Sequence, residues 1–191
     1  MSIVHLAFWL LVCGIAQAAE DLTVEASRKG AYVEVRARAT VEAPLSLVWT
    51  TLTDYERLPE FIPGLKKSRV VSRIGSTAIV EQSGEARFLI FTLPIDVTLE
   101  SNEQPPSSIR VRALSGTLRH LDGGYLVEPD PNGPKVVLRW VGTLAPDISL
   151  PPLIGEVLMR MSIEDQFTGM VREIERRESV RRARENDGPK K

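Results

Sequence analysis

Cysteine and histidine are almost absent from this chain of 191 residues, which contains Cys13 as its one cysteine and His5 and His120 as its two histidines. Cys13 and His5 lie in an N-terminal segment that we predict to be removed, so the remaining chain can form no internal disulfide. It also lacks the His, Cys and carboxylate spacing of a metal site, and it has no cysteine nucleophile. We therefore predict no metal, no cofactor and no catalytic residue.

The chain also lacks an excess of either charge, because it has 24 basic and 25 acidic side chains and a formal net charge of −1. A chain without a basic excess has no general attraction for nucleic acid, and we expect no nucleic-acid partner. About 170 residues remain after the N-terminal segment, which is enough for one hydrophobic core. We predict one domain over residues 19–180, a charged and disordered tail over residues 181–191, and a monomer.

No apolar run is long enough to span a bilayer. Residues Ile3 to Ile15 form a mostly apolar run of 13 positions, fewer than the roughly 20 that a membrane helix needs. Ala16, Gln17 and Ala18 follow as a small-residue cleavage site. We expect residues 1–18 to be a signal peptide and the protein to be exported to the periplasm or secreted, with a retained membrane anchor as the alternative.

Alternation of apolar and polar residues with a period of two recurs along the rest of the chain and predicts β-strands. Glycine, proline and asparagine turns separate consecutive runs, which is typical of an antiparallel sheet with one apolar face. We predict about seven strands, near residues 22–28, 31–41, 67–73, 77–87, 88–100, 108–115 and 118–145, the last one divided by a hairpin at Asn132-Gly133.

Two helices interrupt this pattern. Pro44 stands at the start of a short amphipathic helix that we expect to end near Asp54, since Pro59 and Pro63 prevent its continuation and form an elbow. A second helix is predicted from about Pro151 to about residue 181, long enough to cross the domain. The order of elements predicts an α+β fold in which a curved antiparallel sheet wraps around the long C-terminal helix.

Three segments resemble a known family: Val41 to Val71, Gly116 to Pro129, and Phe167 to Glu178. They are similar to the START-like, polyketide cyclase and coenzyme Q-binding superfamily, whose members have the helix-grip fold. The resemblance implies a cavity between the sheet and the last helix, with its mouth near the elbow. It also implies a hydrophobic ligand such as a quinone, an isoprenoid or another lipid, although the same fold hosts carriers, cyclases and regulators.

The resemblance assigns nine apolar or aromatic residues to this cavity. For each of them an ordinary core position is the alternative. They are Trp49, Tyr55, Phe61, Phe91, Tyr125, Trp140, Val157, Met161 and Phe167.

The polar residues that could serve catalysis have simpler explanations. His120 has the opposite strand parity to Tyr125, which predicts a solvent-facing side chain. Glu81 and Glu85 share a strand face, and we interpret them as solvated carboxylates. Asp54 resembles an aspartate that follows the first helix in the family, where we expect capping or stabilisation of the elbow.

A cyclase would need a polar group that points into the cup. The nearest candidates are Arg110, Arg112 and Arg119, and alternation with apolar neighbours places the first two outside. We therefore rank a cyclase or dehydratase below a carrier; a buried arginine or carboxylate facing the cavity would favour the enzyme. A regulatory protein with a vestigial cavity is a third hypothesis.

Two regions are candidates for transient membrane contact. The chain after Met170 has eight basic against five acidic side chains, which could touch anionic lipid. A solvated helix end followed by a disordered terminus is the interpretation that we favour. The apolar pair Phe88 and Ile90 is the alternative contact.

Overall fold

The computed structural model describes residues 20–88, 91–131, 133–147 and 152–187, without the side chains of residues 20, 88, 91, 152 and 153. The predicted signal peptide and Ile90 lie outside the described residues, as do the side chains of Phe88 and Phe91. The predicted export and the apolar membrane contact therefore remain predictions.

The described chain forms eight strands, two α-helices and a short 3₁₀ helix, which we call the elbow helix. The strands are β1 (Glu20–Lys29), β2 (Tyr32–Val41), β3 (Leu65–Ile74), β4 (Thr77–Phe88), β5 (Phe91–Gln104), β6 (Ser108–Gly116), β7 (Leu118–Pro129) and β8 (Val136–Pro146). The helices are α1 (Leu45–Leu52), the elbow helix (Tyr55–Glu60) and α2 (Pro152–Asn186).

All eight strands form one antiparallel sheet in the order β1-β2-β8-β7-β6-β5-β4-β3. The predicted fold class is confirmed, with eight strands instead of about seven. The difference arises because the region predicted as one divided strand, residues 118–145, forms the full strands β7 and β8.

The register of strand pairing places the inward-facing residues of neighbouring strands opposite one another. On β2, Val35, Ala37 and Ala39 are buried and share one face. Ala37 lies opposite Trp140 of β8, which in turn lies opposite Tyr125 of β7. Because paired residues point to the same side, these side chains all belong to the concave inner face.

The first helix is shorter than predicted and the elbow is more regular. α1 ends at Leu52, two residues before Asp54, and the chain continues into the elbow helix, which includes Pro59. Pro59 has no N–H to donate. The backbone N–H groups of Arg57 and Phe61, two residues before and after it, donate to the carbonyl oxygens of Asp54 and Leu58. Pro59 is therefore tolerated in the elbow helix.

Helix α2 lies against β1 and β2, touches α1 and reaches β4. Its end at Asn186 corrects the predicted end near Arg181. Ion pairs one turn apart explain the extension, since Arg181 and Arg182 both bind Glu178 and Arg181 also binds Glu185. In the described part of the chain, none of the helices combines the length and the apolar character needed to cross a membrane.

Candidate ligand-binding site

The inner face of strands β5, β6 and β7 is apolar but only partly covered. Its register continues that of the buried residues of β2 and β8, while α2 packs mainly over β1 and β2. Six apolar side chains on this part of the face remain half-buried, although Val97, Ile109 and Val127 on the same strands are buried. The half-buried ones are Leu93, Ile95, Leu99, Val111, Leu121 and Tyr125. A concave apolar surface that keeps accessible area has the character of a ligand cup.

The structure distributes the nine predicted cavity residues over several elements. Three are buried, namely Tyr55, Trp140 and Phe167. Five are half-buried, namely Trp49, Phe61, Tyr125, Val157 and Met161. The side chain of Phe91 is outside the described residues. Tyr125, Trp140 and Phe167 come together where α2 crosses the sheet, whereas Tyr55 and Phe61 lie at the elbow. Their role in ligand binding remains a prediction.

Tyr125 combines a half-buried position with an unpaired hydroxyl group. Its ring faces that of Phe167 with centroids 6.5 Å apart and planes 8° apart, and burial raises the pKa of the hydroxyl to about 12. Among the described residues, this hydroxyl has no hydrogen-bond partner. Every fully buried side-chain nitrogen or oxygen in the same part of the chain does have a partner. The Tyr125 oxygen must therefore border accessible space, where a ligand could bind it.

Tyr55 has the opposite environment. Its hydroxyl lies 2.7 Å from Ser101 Oγ and donates to Glu103 Oε1 at 3.0 Å. Arg73 Nη1 donates to the same carboxylate at 3.0 and 3.1 Å, and burial is the main reason why the pKa of Tyr55 is raised. This cluster fixes the elbow to the end of β5.

The sequence interpretation missed Ser101 and Glu103. Both have the strand parity of Leu99, which faces inward, and both are buried, at 2% and 8% exposure. A polar pair on the apolar parity of a strand was the available signal. Glu103 is a buried carboxylate on the inner face, and such a group favours the cyclase or dehydratase hypothesis.

A second cluster joins the elbow to α2. Arg177 Nη2 donates to Asp54 Oδ2 at 2.8 Å, its Nε donates to Glu173 at 2.7 Å, and its guanidinium lies 5.6 Å from the centre of the Phe61 ring. Hydrogen bonds from Arg176 and then Arg177 lower the pKa of Glu173 to about 2. Asp54 makes no side-chain capping bond, so its predicted capping role is wrong and its stabilising role at the elbow is confirmed.

Most of the other polar candidates lie on the outer face, paired with neighbours. His120 Nε2 lies 2.8 Å from Thr143 Oγ1, and its ring contacts Tyr32. The outer-face positions predicted for His120, Arg110 and Arg112 are confirmed, and Arg119 is exposed. The remaining ion pairs join Arg110 to Asp122, Arg112 to Glu100, Glu81 to Arg69, and Glu85 to both Lys66 and Arg87.

Two surface clefts lie beside the elbow. One of about 390 Å³ is bordered by Pro63 to Lys66, Glu85 to Arg87, and Ser162 and Asp165 of α2. The other, of about 550 Å³, lies between the elbow and the C-terminal half of α2 and is rich in arginine. Neither is lined by any of the nine predicted cavity residues. The smaller cleft lies next to Phe61, at the position where the mouth was predicted.

Residues 41–171 match the model of the family described as polyketide cyclase / dehydrase and lipid transport. This match covers more than half of the chain, and the chain therefore belongs to that family. The resemblance found in the sequence is confirmed. No curated protein sequence matches the chain significantly.

Solved structures show the same fold at low sequence identity. The STAR-related lipid transfer protein from Xanthomonas axonopodis has a TM-score of 0.68 and 14% identity, over 83% of this chain and 96% of that one. The Zhui aromatase/cyclase from Streptomyces sp. R1128 has a TM-score of 0.66 and 16% identity, over 83% and 99%. A START superfamily protein from Mycobacterium smegmatis has a TM-score of 0.64 and 15% identity, over 75% and 97%. Their likeness at this identity concerns the fold.

Proposed function

We propose that this member of the polyketide cyclase / dehydrase and lipid transport family binds a hydrophobic small molecule in its cup and carries or sequesters it without covalent chemistry. The observation that supports this most is the half-accessible apolar inner face of β5 to β7 with the unpaired Tyr125 hydroxyl on it. We further propose, from residues 1–18, that the protein works after export.

The chemistry of the cup suits a ligand with a long apolar part and one polar oxygen. Each methylene that leaves water contributes about 0.8 kcal/mol, so an isoprenoid or acyl chain can be held without a covalent bond. Tyr125 can donate one hydrogen bond to a carbonyl or hydroxyl oxygen of the head, with a net contribution of about 1 kcal/mol. A quinone with an isoprenoid tail has both parts.

The direct experiment is mass spectrometry of the freshly purified protein under native conditions, followed by solvent extraction and identification of what is released. We expect a hydrophobic molecule with at least one oxygen. Absence of any bound molecule, together with no binding of an added long-chain quinone, would contradict the carrier and leave the regulatory protein with a vestigial cavity.

A matched pair of variants tests the assigned role of Tyr125. Tyr125→Phe should weaken binding of that quinone about fivefold, which corresponds to one hydrogen bond of about 1 kcal/mol. Tyr32→Phe removes a hydroxyl from a tyrosine that is 41% exposed on the outer face, so its affinity should be unchanged. Titration by tryptophan fluorescence can follow binding, since Trp140 lies opposite Tyr125. Equal affinities of the two variants would show that Tyr125 does not bind the ligand.

A second candidate function, a cyclase or dehydratase, is favoured by the buried carboxylate of Glu103 beside the Tyr55 hydroxyl. A carboxylate on the inner face could accept a proton from a polyketide carbon. Conversion of a poly-β-ketone substrate that is lost in Glu103→Gln, with substrate binding retained, would support the enzyme. An unchanged substrate after incubation with the intact protein would reject it.

A further inference from the structure

Five arginines line the cleft of about 550 Å³ between the elbow and the C-terminal half of α2. Leu47 of α1 and Val180 of α2 lie in the same cleft. The arginines are Arg57, Arg176, Arg177, Arg181 and Arg184. Their number in one cleft contrasts with the net charge of −1 of the whole chain.

The carboxylates that pair with these arginines lie mostly beneath them. The side chains of Glu173 and Glu178 are 6% and 4% exposed, whereas those of Arg176 and Arg181 are 57% and 40% exposed. Two exposed acids, Glu60 and Glu185, lie beside Arg57 and Arg181. The outward surface is therefore more positive than the balance of charges along α2 indicates.

Some guanidinium groups keep donors for a further anion. Arg176 uses Nε and Nη2 for Glu173, so its Nη1 has no partner among the described residues. Arg184 is exposed and has no ion pair within the described part of the chain. Guanidinium groups bind phosphate oxygens through paired hydrogen bonds, which suits a phosphate with several free oxygens.

Apolar side chains beside these donors favour a lipid surface over a free ion. Leu47 is half-buried and Val180 is 38% exposed, and neither contributes to phosphate binding in water. Basic and apolar groups on one surface are typical of proteins that lie on anionic bilayers. We propose that this arginine cleft docks the protein on a membrane surface that presents anionic phosphate headgroups.

This docking surface adjoins the elbow. Arg177 lines the cleft and also holds Asp54 at the start of the elbow. A membrane at the cleft would therefore lie next to the elbow, whose Tyr55 closes against β5. The proposal concerns the outer surface and does not depend on which molecule occupies the cup.

Vesicle sedimentation tests the proposal with the chain from residue 19 onwards. Vesicles of phosphatidylcholine alone are compared with vesicles that also contain phosphatidylglycerol, and we expect binding to the anionic ones. The double variant Arg176→Gln with Arg184→Gln should bind about thirtyfold more weakly, since each basic residue contributes about 1 kcal/mol at such a surface. Both arginines are exposed, so an unchanged urea midpoint should show that the fold is retained.

The control is Arg36→Gln with Arg69→Gln, which removes the same charge from arginines 62% and 69% exposed elsewhere on the sheet. It should weaken binding by at most about threefold, because charges far from the contact are screened. Equal losses in the two double variants would overturn the proposal in favour of overall charge. Equal binding to neutral vesicles, or displacement by inorganic phosphate at the concentration of the lipid phosphate, would overturn it as well.

Discussion

Removal of the Tyr55 hydroxyl should destabilise the fold, whereas the same change at Tyr125 should leave stability unchanged. Both tyrosines were predicted to line one cavity, and both have a raised pKa because of burial. Only Tyr55 is fixed by hydrogen bonds, to Ser101 and Glu103. The pair of Tyr→Phe variants thus separates a structural hydroxyl from one that is free for a ligand.

The expected loss of stability in Tyr55→Phe follows from the two hydrogen bonds that are removed and the partners that remain buried. It removes one bond to a carboxylate, about 1.5–3 kcal/mol, and one to a neutral hydroxyl, about 0.5–1.5 kcal/mol. Ser101, at 2% exposure, would be left without water as a substitute partner. Arg73 still binds Glu103, which moderates the effect, so we expect a loss of about 2–3 kcal/mol. For Tyr125→Phe we expect a change within about 0.5 kcal/mol.

Urea unfolding at neutral pH, followed by tryptophan fluorescence and circular dichroism, measures both values. The Tyr55→Phe midpoint should fall with an unchanged dependence on urea. Ser101→Ala should lower the free energy of unfolding less in the Tyr55→Phe variant than in the wild-type protein, since the serine hydroxyl has already lost its partner in that variant. Equal midpoints for the two Tyr→Phe variants would refute the assignment of Tyr55 to the elbow and Tyr125 to the cup.

Two further predictions concern pH and packing. The pKa of Glu173 is lowered from 4.5 to about 2 in the folded protein, so its carboxylate stabilises the fold above pH 4.5 by about 3 kcal/mol, and about 2 kcal/mol of this is lost between pH 7 and pH 3. Urea midpoints at pH 7 and pH 3 should differ less in Glu173→Gln than in the wild type, and an identical difference would contradict the ion pair. Gly124→Ala places a Cβ 2.1 Å from the Ile109 carbonyl oxygen, whereas the Cβ of Gly133→Ala meets no atom within 4 Å. Thermal unfolding should therefore show that the first variant loses about 1–3 kcal/mol of stability and the second almost none. Equal melting temperatures would contradict the close approach of β6 and β7.

The fold was largely predictable because its signals are local. Alternation along β2 identifies Val35, Ala37 and Ala39 as inward residues, and they are buried. The end of α2 was misplaced because hydropathy does not include ion pairs one turn apart, such as those of Arg181 with Glu178 and Glu185. These pairs extend a helix whose last turns have little apolar surface to bury.

The clusters at the elbow could not be predicted, because their members are far apart in the sequence. Arg177 and Asp54 are separated by 123 positions, and Tyr55 and Glu103 by 48. The resemblance of Asp54 to a family position indicated stabilisation of the elbow but not its partner. Only the packing of α2 across the sheet brings Arg177 beside the elbow, and a one-dimensional pattern does not specify that contact.

Whether the interior is a solid core or a cup is a separate question from which residues face inward. A period of two assigns Trp140 and Tyr125 to the same face, yet the first is 6% exposed and the second remains half-buried. The difference lies in coverage, since α2 packs over β1 and β2 and leaves the inner face of β5 to β7 partly accessible. A solid core would require Tyr125 to bury its hydroxyl with a partner, as Tyr55 does. The unpaired oxygen of Tyr125 therefore argues against a solid core at this position and for accessible space that a ligand can occupy.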